Sequence, residues 1–140
     1  MKYEPSPRAF TIPVRVYYED TDAIGVVYYA NYLRFFERCR TEWMRAAGHD
    51  QSRLADEVGV GFVVRKATCE YLRPARLDDV LTVGLEVEKL TRVRVVFRQH
   101  VRRGDEELVT GTVEIACVDM ATMQPAPIPD FLHSRLETLK

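Results

Sequence analysis

Apolar and polar residues alternate over residues 12–18, where Ile12, Val14, Val16 and Tyr18 point one way and Pro13, Arg15 and Tyr17 the other. Period-two alternation predicts a half-buried strand, and Pro13 is tolerated near its start because a missing N–H costs the ladder little there. An acidic turn follows, Glu19-Asp20-Thr21-Asp22. From about residue 26 to residue 47 the apolar positions recur at helical spacing, and Gly48 supplies a C-terminal cap. Two rows run along this segment: Tyr28, Tyr32, Phe35, Cys39 and Trp43, and beside them Tyr29, Leu33, Phe36, Met44 and Ala47, interrupted by Arg40. The joint stripe is wider than a surface helix needs, so it calls for a concave partner that wraps it.

The rest of the chain supplies that partner. Strand-like runs cover residues 62–72, 80–88, 92–102 and 107–119. Leu81, Val83, Leu85 and Val87 share a face; so do Val93, Val95, Phe97 and Val101, with Arg92, Arg94, Arg98 and Arg102 opposite. The short links Lys89-Leu90-Thr91 and Arg103-Gly104-Asp105-Glu106 suit antiparallel hairpins. One strand, one long helix and four further strands predict an α+β arrangement: a curved antiparallel five-stranded sheet around one central helix, with residues 1–140 as a single domain. Such a sheet has edges to be covered or paired, and the stretch beginning "GFVVRKATCEY" is the expected pairing edge of a homodimer or a homotetramer.

Composition narrows the function by exclusion. Twenty basic residues against 21 acidic ones give a net charge of −1, so no overall field points to nucleic acid. Cys39, Cys69 and Cys117 are widely spaced without a CxxC, and His49, His100 and His133 have no metal-ligand spacing, so no metal and no cofactor is expected. The opening "MKYEPSPRAF" has no apolar signal core, and no stretch approaches a membrane span. A cytoplasmic, reduced protein is the expectation.

The stretch "YYEDTDAIGVVYYANYLRFFERCRTEWMR" (residues 17–45) resembles the signature of hotdog-fold acyl-CoA thioesterases of the 4-hydroxybenzoyl-CoA thioesterase-like superfamily. The segments "FVVRKATCEYLRPARLDDVLTV" and "EIACVDMATMQPAPIPD" look closest to the branch encoded with the Tol–Pal envelope system. That branch usually carries a histidine where this chain has Tyr29, a departure that resembles the 4-hydroxybenzoyl-CoA enzymes instead. The resemblance implies a hotdog fold and hydrolysis of small to medium acyl-CoA thioesters, with coenzyme A entering only as part of the substrate. An acyl carrier protein presents the same pantetheine arm and is the alternative carrier.

By the same resemblance Asp22, the second acid of "DTDAIG", is the catalytic carboxylate, either as nucleophile or as general base on water. The backbone amides of residues 27–29, that of Tyr29 above all, are the expected donors to the thioester carbonyl. Gly25 suits a tight entry close to the ligand. Asp20, with Thr21, reads as a structural cap. Lys89, Arg92 and Arg94 on a hairpin, with Arg65, Lys66 and Arg73, are the candidate contacts to the phosphates of coenzyme A. Two other readings share the fold: an acyl-thioester hydratase, which needs a histidine paired with an acid, and a non-catalytic acyl-CoA or partner-binding module, which does not need Asp22.

Overall fold

The computed structural model describes residues 9–48 and 51–140; His49 and the first eight residues, both read above, lie outside them. Strand β1 (Phe10–Arg15) leads into a 3-10 turn (Tyr18–Asp20) and then helix α1 (Asn31–Ala46). After a short helix α2 (Gln51–Arg53) and one wider turn (Leu54–Val58), the strands β2 (Val60–Tyr71), β3 (Val80–Leu90), β4 (Arg94–Arg103) and β5 (Glu106–Asp119) follow, and helix α3 (Asp130–Glu137) closes the chain. All neighbours are antiparallel in one five-stranded sheet of order β1-β3-β4-β5-β2, so β1 and β2 are its edges. The expected α+β arrangement of a five-stranded sheet with one long helix is present, and the sheet does not close.

The core lies between α1 and the inner sheet face. Tyr32, Phe35, Cys39 and Trp43 of the first helical row are buried there, as are Phe36 and Met44 of the second, against Leu81, Val83, Leu85, Val101 and Val109. Each fully buried phenylalanine contributes roughly 1.5–3 kcal/mol through the apolar surface it removes from water. Gly111 makes room for one of them: a Cβ there would lie 2.9 Å from the Phe36 ring. Arg40, the break in the second row, has a structural reason. It donates to Gln99 Oε1 at 2.9 Å, and buried Gln99 donates onward to the Phe36 carbonyl at 3.0 Å. A polar tie thus crosses the core with its groups paired.

Three expectations are corrected. Helix α1 begins at Asn31, not near residue 26. Val26 and Val27 are extended and bridge Arg76 and Thr21, because their amides and carbonyls serve other loops and their branched side chains favour extended backbone. Tyr18 does not continue the face of β1 but sits in the 3-10 turn, highly exposed. Helices α2 and α3 were not foreseen; α3 buries Leu132 and Leu136 against the core, while Phe131 is exposed and its remaining residues are polar.

Candidate functional site

The acidic turn is built around Asp20, not Asp22. Buried Asp20 accepts from the Tyr17 amide through Oδ2 (2.8 Å) and from Asn31 Nδ2 through Oδ1 (2.7 Å), while its carbonyl accepts from the Tyr28 amide (2.9 Å). It therefore staples the end of β1 to the start of α1, which is the structural part expected of it. Between the two lies a tight loop closed by the bridge of Thr21 to Val27. Asp22 pairs its amide with the Val26 carbonyl at 2.9 Å, and its exposed carboxylate accepts from the Ile24 amide through Oδ1, also at 2.9 Å. The second oxygen makes no hydrogen bond among the described residues. Gly25 turns the loop at φ 83°, with open space where a Cβ would point. A side chain is strained there whatever the room.

The entry to α1 leaves amides open. Its cap residue, Ala30, has no side chain able to bond the first turn. Of the expected donors, the Val27 amide is committed to the Ala75 carbonyl (2.9 Å) and the Tyr28 amide to Asp20, which removes both. The amides of Tyr29 and Ala30 have no acceptor among the described residues. Beside them opens a cleft of about 230 Å³ lined by Val27, Tyr29, Tyr32, Tyr71, Leu72, Arg73 and Pro74. Asp22 does not line this cleft. The small ladder sets it next to Val26, one residue before Val27, which does.

The cleft walls are aromatic. Tyr71 meets Tyr29 edge-on with ring centres 6.1 Å apart and Tyr32 at 5.8 Å, and Tyr28 lies 4.8 Å from Tyr29. Burial raises the Tyr32 phenol above its ordinary range, and burial together with the Cys69 thiol pushes that of Tyr71 up to about 12. The hydrogen bond and charge of Tyr29 raise the Tyr28 phenol. These hydroxyls are neutral donors and acceptors at any physiological pH.

Tyr71 was not singled out in the sequence. The signal was there in alternation, two residues past Cys69 on the strand, but only the fold sets it against the helix. Within the exposed "RPAR" stretch (residues 73–76), Ala75 is fully buried. The Ala75 amide donates to the Tyr32 hydroxyl (3.0 Å) and the carbonyl takes the Val27 amide.

The candidate phosphate contacts divide. Arg73 lines the cleft, with its guanidinium held loosely by Glu106 at 3.4 Å. Arg65 and Lys66 are exposed at the bulge in the middle of edge strand β2, and neither lines the cleft. Lys89, Arg92 and Arg94 stand at the far end of the sheet. Arg94 is level with Ala116 and Val63, whereas the cleft end of β2 at Tyr71 is level with Val109. Seven steps along β5 at about 3.4 Å each separate the two ends by roughly 24 Å. A single protomer does not bring this hairpin to the cleft.

Neither described histidine is near the cleft: His100 faces Gly84 across the outer side of the sheet, and His133 lies on α3. Among the described residues no group of three potential metal ligands gathers, and no helix is long and apolar enough to cross a membrane.

Comparison with known proteins gives a consistent picture. The thioesterase superfamily matches residues 24–110. An acyl-CoA thioesterase, YbgC, from Haemophilus influenzae is 44% identical over 131 residues, covering 94% of this chain and 96% of that protein. The acyl-CoA thioester hydrolase YbgC of Escherichia coli O6:H1 is 46% identical over 121 residues, 86% of this chain and 90% of its own length. Among solved structures, a probable thioesterase from Bartonella henselae superposes with a TM-score of 0.82 at 38% identity, over 86% of this chain and 99% of that one.

Proposed function

Since the chain belongs to the thioesterase superfamily, and with YbgC-type relatives matching nearly its whole length, we propose that it hydrolyses acyl-CoA thioesters at the cleft beside the start of α1. The observation that carries this reading is the uncapped helix entry, which leaves the Tyr29 and Ala30 amides open beside an apolar, aromatic-walled cleft. A thioester carbonyl received there gains two N–H donors and the positive end of the helix dipole as its oxygen becomes negative. Asp22 supplies the carboxylate. Its bond from the Ile24 amide fixes the direction of the group while the second oxygen remains for chemistry. That oxygen either attacks the carbonyl carbon or takes a proton from the attacking water. In both cases the C–S bond breaks, and the thiolate leaves with the electron pair and picks up a proton from solvent; where Asp22 attacks directly, water then cleaves the acyl anhydride it forms, giving the free acid and restoring the carboxylate. Gly25 allows the turn that holds this loop against the helix entry.

The acyl group is short, or flat and compact. Phe35 and Phe36, both fully buried, fill the space between α1 and the sheet directly beyond Tyr32. The apolar cavity on the far side of them, lined by Trp43, Met44, Phe97 and Leu136, holds only about 40 Å³. A long alkyl chain has no route along the helix.

The site is completed by a second copy. Edge strand β2 carries a largely exposed middle, and antiparallel pairing of two β2 strands centred near Lys66 sets Tyr71 of one chain against the Val60 end of the other. The partner's Lys89, Arg92 and Arg94 then approach the cleft from which this chain's own are some 24 Å distant, and with Arg73 they meet the phosphates of coenzyme A.

The test is thiol release from a panel of acyl-CoAs by the wild type and by Asp22→Asn. Hydrolysis lost in the variant with ligand binding kept is the expected result. Wild-type turnover in Asp22→Asn would remove that residue from the mechanism, and binding without turnover in the wild type would favour the non-catalytic module.

A further inference from the structure

We propose that Arg103 is a positioning residue for this reaction: from outside the cleft it clamps the strap of residues 72–79 that anchors the helix entry.

The strap joins β2 to β3 and carries few apolar anchors of its own. Ala75 is its buried residue, while Leu72 and Leu77 are largely exposed. It nevertheless holds the site in register. Through Ala75 it takes the Val27 amide and supplies the amide that the Tyr32 hydroxyl accepts; through Asp78 and Asp79 it pairs with both backbone groups of Val16 at the end of β1. Any shift of the strap is a shift of Val27 and Tyr32, and hence of the Tyr29 and Ala30 amides between them.

Arg103, the last residue of β4, grips the strap at two points. One terminal nitrogen donates to Asp79 Oδ2 at 2.7 Å and to the Pro74 carbonyl at 3.3 Å. The other, with Nε, holds Glu106 of β5 at 2.6 and 3.1 Å, so the guanidinium plane is fixed to the rigid β4–β5 hairpin. Asp79 Oδ2 also accepts the Arg76 amide at 2.8 Å, which closes the strap onto itself. Partly exposed ion pairs contribute little to stability, a median of about 0–1 kcal/mol each. What a guanidinium fork provides is direction: planar donors at fixed angles locate two acceptors at once. The electrostatics agree with the geometry. Burial works against the charge of Asp79, yet the Arg76 amide and Arg103 together hold its carboxyl below the usual range, and hydrogen bonding from Arg103 does the same for Glu106. The Tyr32 phenol also feels the charges of Arg103 and Asp79.

The inference rests on the thioesterase reading, and the experiment separates the two. Thiol release from an acyl-CoA that the wild type hydrolyses is followed in Arg103→Met, Arg103→Lys, Asp79→Asn and the Arg103→Met/Asp79→Asn double variant, with circular dichroism reporting the folded fraction. Arg98→Met, which breaks the Glu88 pair elsewhere on the sheet, is the control for loss of a surface ion pair. The clamp predicts that kcat per folded molecule falls about tenfold in Arg103→Met with KM within about twofold, since small displacements of donors act on the transition state. Arg103→Lys keeps one contact and falls between. The double variant is no worse than the worse single, because both remove one clamp, and Arg98→Met stays at wild-type kcat. A kcat per folded molecule in Arg103→Met equal to that of the wild type or of Arg98→Met overturns the clamp and leaves the thioesterase reading standing. No thiol release by the wild type on the whole panel refutes that reading and the clamp with it.

Discussion

Tyr32→Phe removes one oxygen from the centre of the site and tests how the helix entry is held. The Tyr32 hydroxyl accepts the amide of Ala75 at 3.0 Å, and Ala75 has no exposed surface, so the substitution strands a donor that water does not reach. An unsatisfied buried donor costs about 1–3 kcal/mol. The phenol is itself desolvated, as the raised pKa of Tyr32 records, and its removal returns part of that cost. A net loss of about 1–2 kcal/mol follows. For a chain of this length that is a fall in Tm of roughly 3–8 °C. The kinetic effect is the more specific one. With Ala75 released on one side, the Val27 amide bonded to the Ala75 carbonyl shifts, and kcat for thioester hydrolysis falls about tenfold with KM little changed. Thermal unfolding by circular dichroism and thiol release at a temperature well below Tm measure both. A Tm within about 1 °C of wild type together with an unchanged kcat would show that the strap is held elsewhere, and the reasoning from Ala75 to the helix entry would fail.

Three further outcomes follow from the packing. Phe36→Leu shortens the plug between α1 and the sheet. It should cost about 1–2 kcal/mol and move the preferred acyl length upward on the substrate panel; an unchanged preference would separate Phe36 from chain selection. Gly84→Ala places a Cβ 2.2 Å from His100 Cε1 and should destabilise by about 1–3 kcal/mol, with His100→Ala restoring most of the loss in the double variant. His100 has its pKa pushed down to about 4, by burial first and by Arg102 second. The unfolded imidazole therefore takes a proton near pH 6.5 while the folded one stays neutral until about pH 4, so stability falls with pH across that window. The difference between wild type and His100→Gln in denaturant unfolding should change by about 3 kcal/mol from pH 7 to pH 4, and a pH-independent difference would contradict it.

Much of the architecture was legible because it rests on local periodicity. Val83, Leu85 and Val87 alternate, Phe35, Cys39 and Trp43 recur at helical spacing, and the Lys89-Leu90-Thr91 link is too short for anything but a hairpin or its like, so the succession of strands along the chain and the central helix could be read directly, whereas the order β1-β3-β4-β5-β2 within the sheet could not. The start of α1 was not legible. Val26, Val27, Tyr28 and Tyr29 fit the helical stripe as well as Tyr32 does, and nothing in their spacing tells that Ala75 and Arg76, nearly fifty residues on, claim their backbone groups. The candidate site divides in the same way. Asp22, Gly25 and Tyr29 stand out in a short motif, whereas Tyr71, Ala75 and Arg103 matter through contacts between distant segments.

On its own the sequence determined the five strands and the long helix, their order along the chain, most of the buried face of each and the family to which the acidic loop belongs, because these depend on the period and chemistry of neighbouring residues. Tertiary structure alone decided which amides stay open at the helix entry, that Phe35 and Phe36 are fully buried between α1 and the sheet, and that Lys89, Arg92 and Arg94 lie at the far end of the sheet from their own chain's cleft. The physical reason is one of competition. A backbone donor is open only when no acceptor from elsewhere in the fold reaches it, and that is settled when the whole chain has packed.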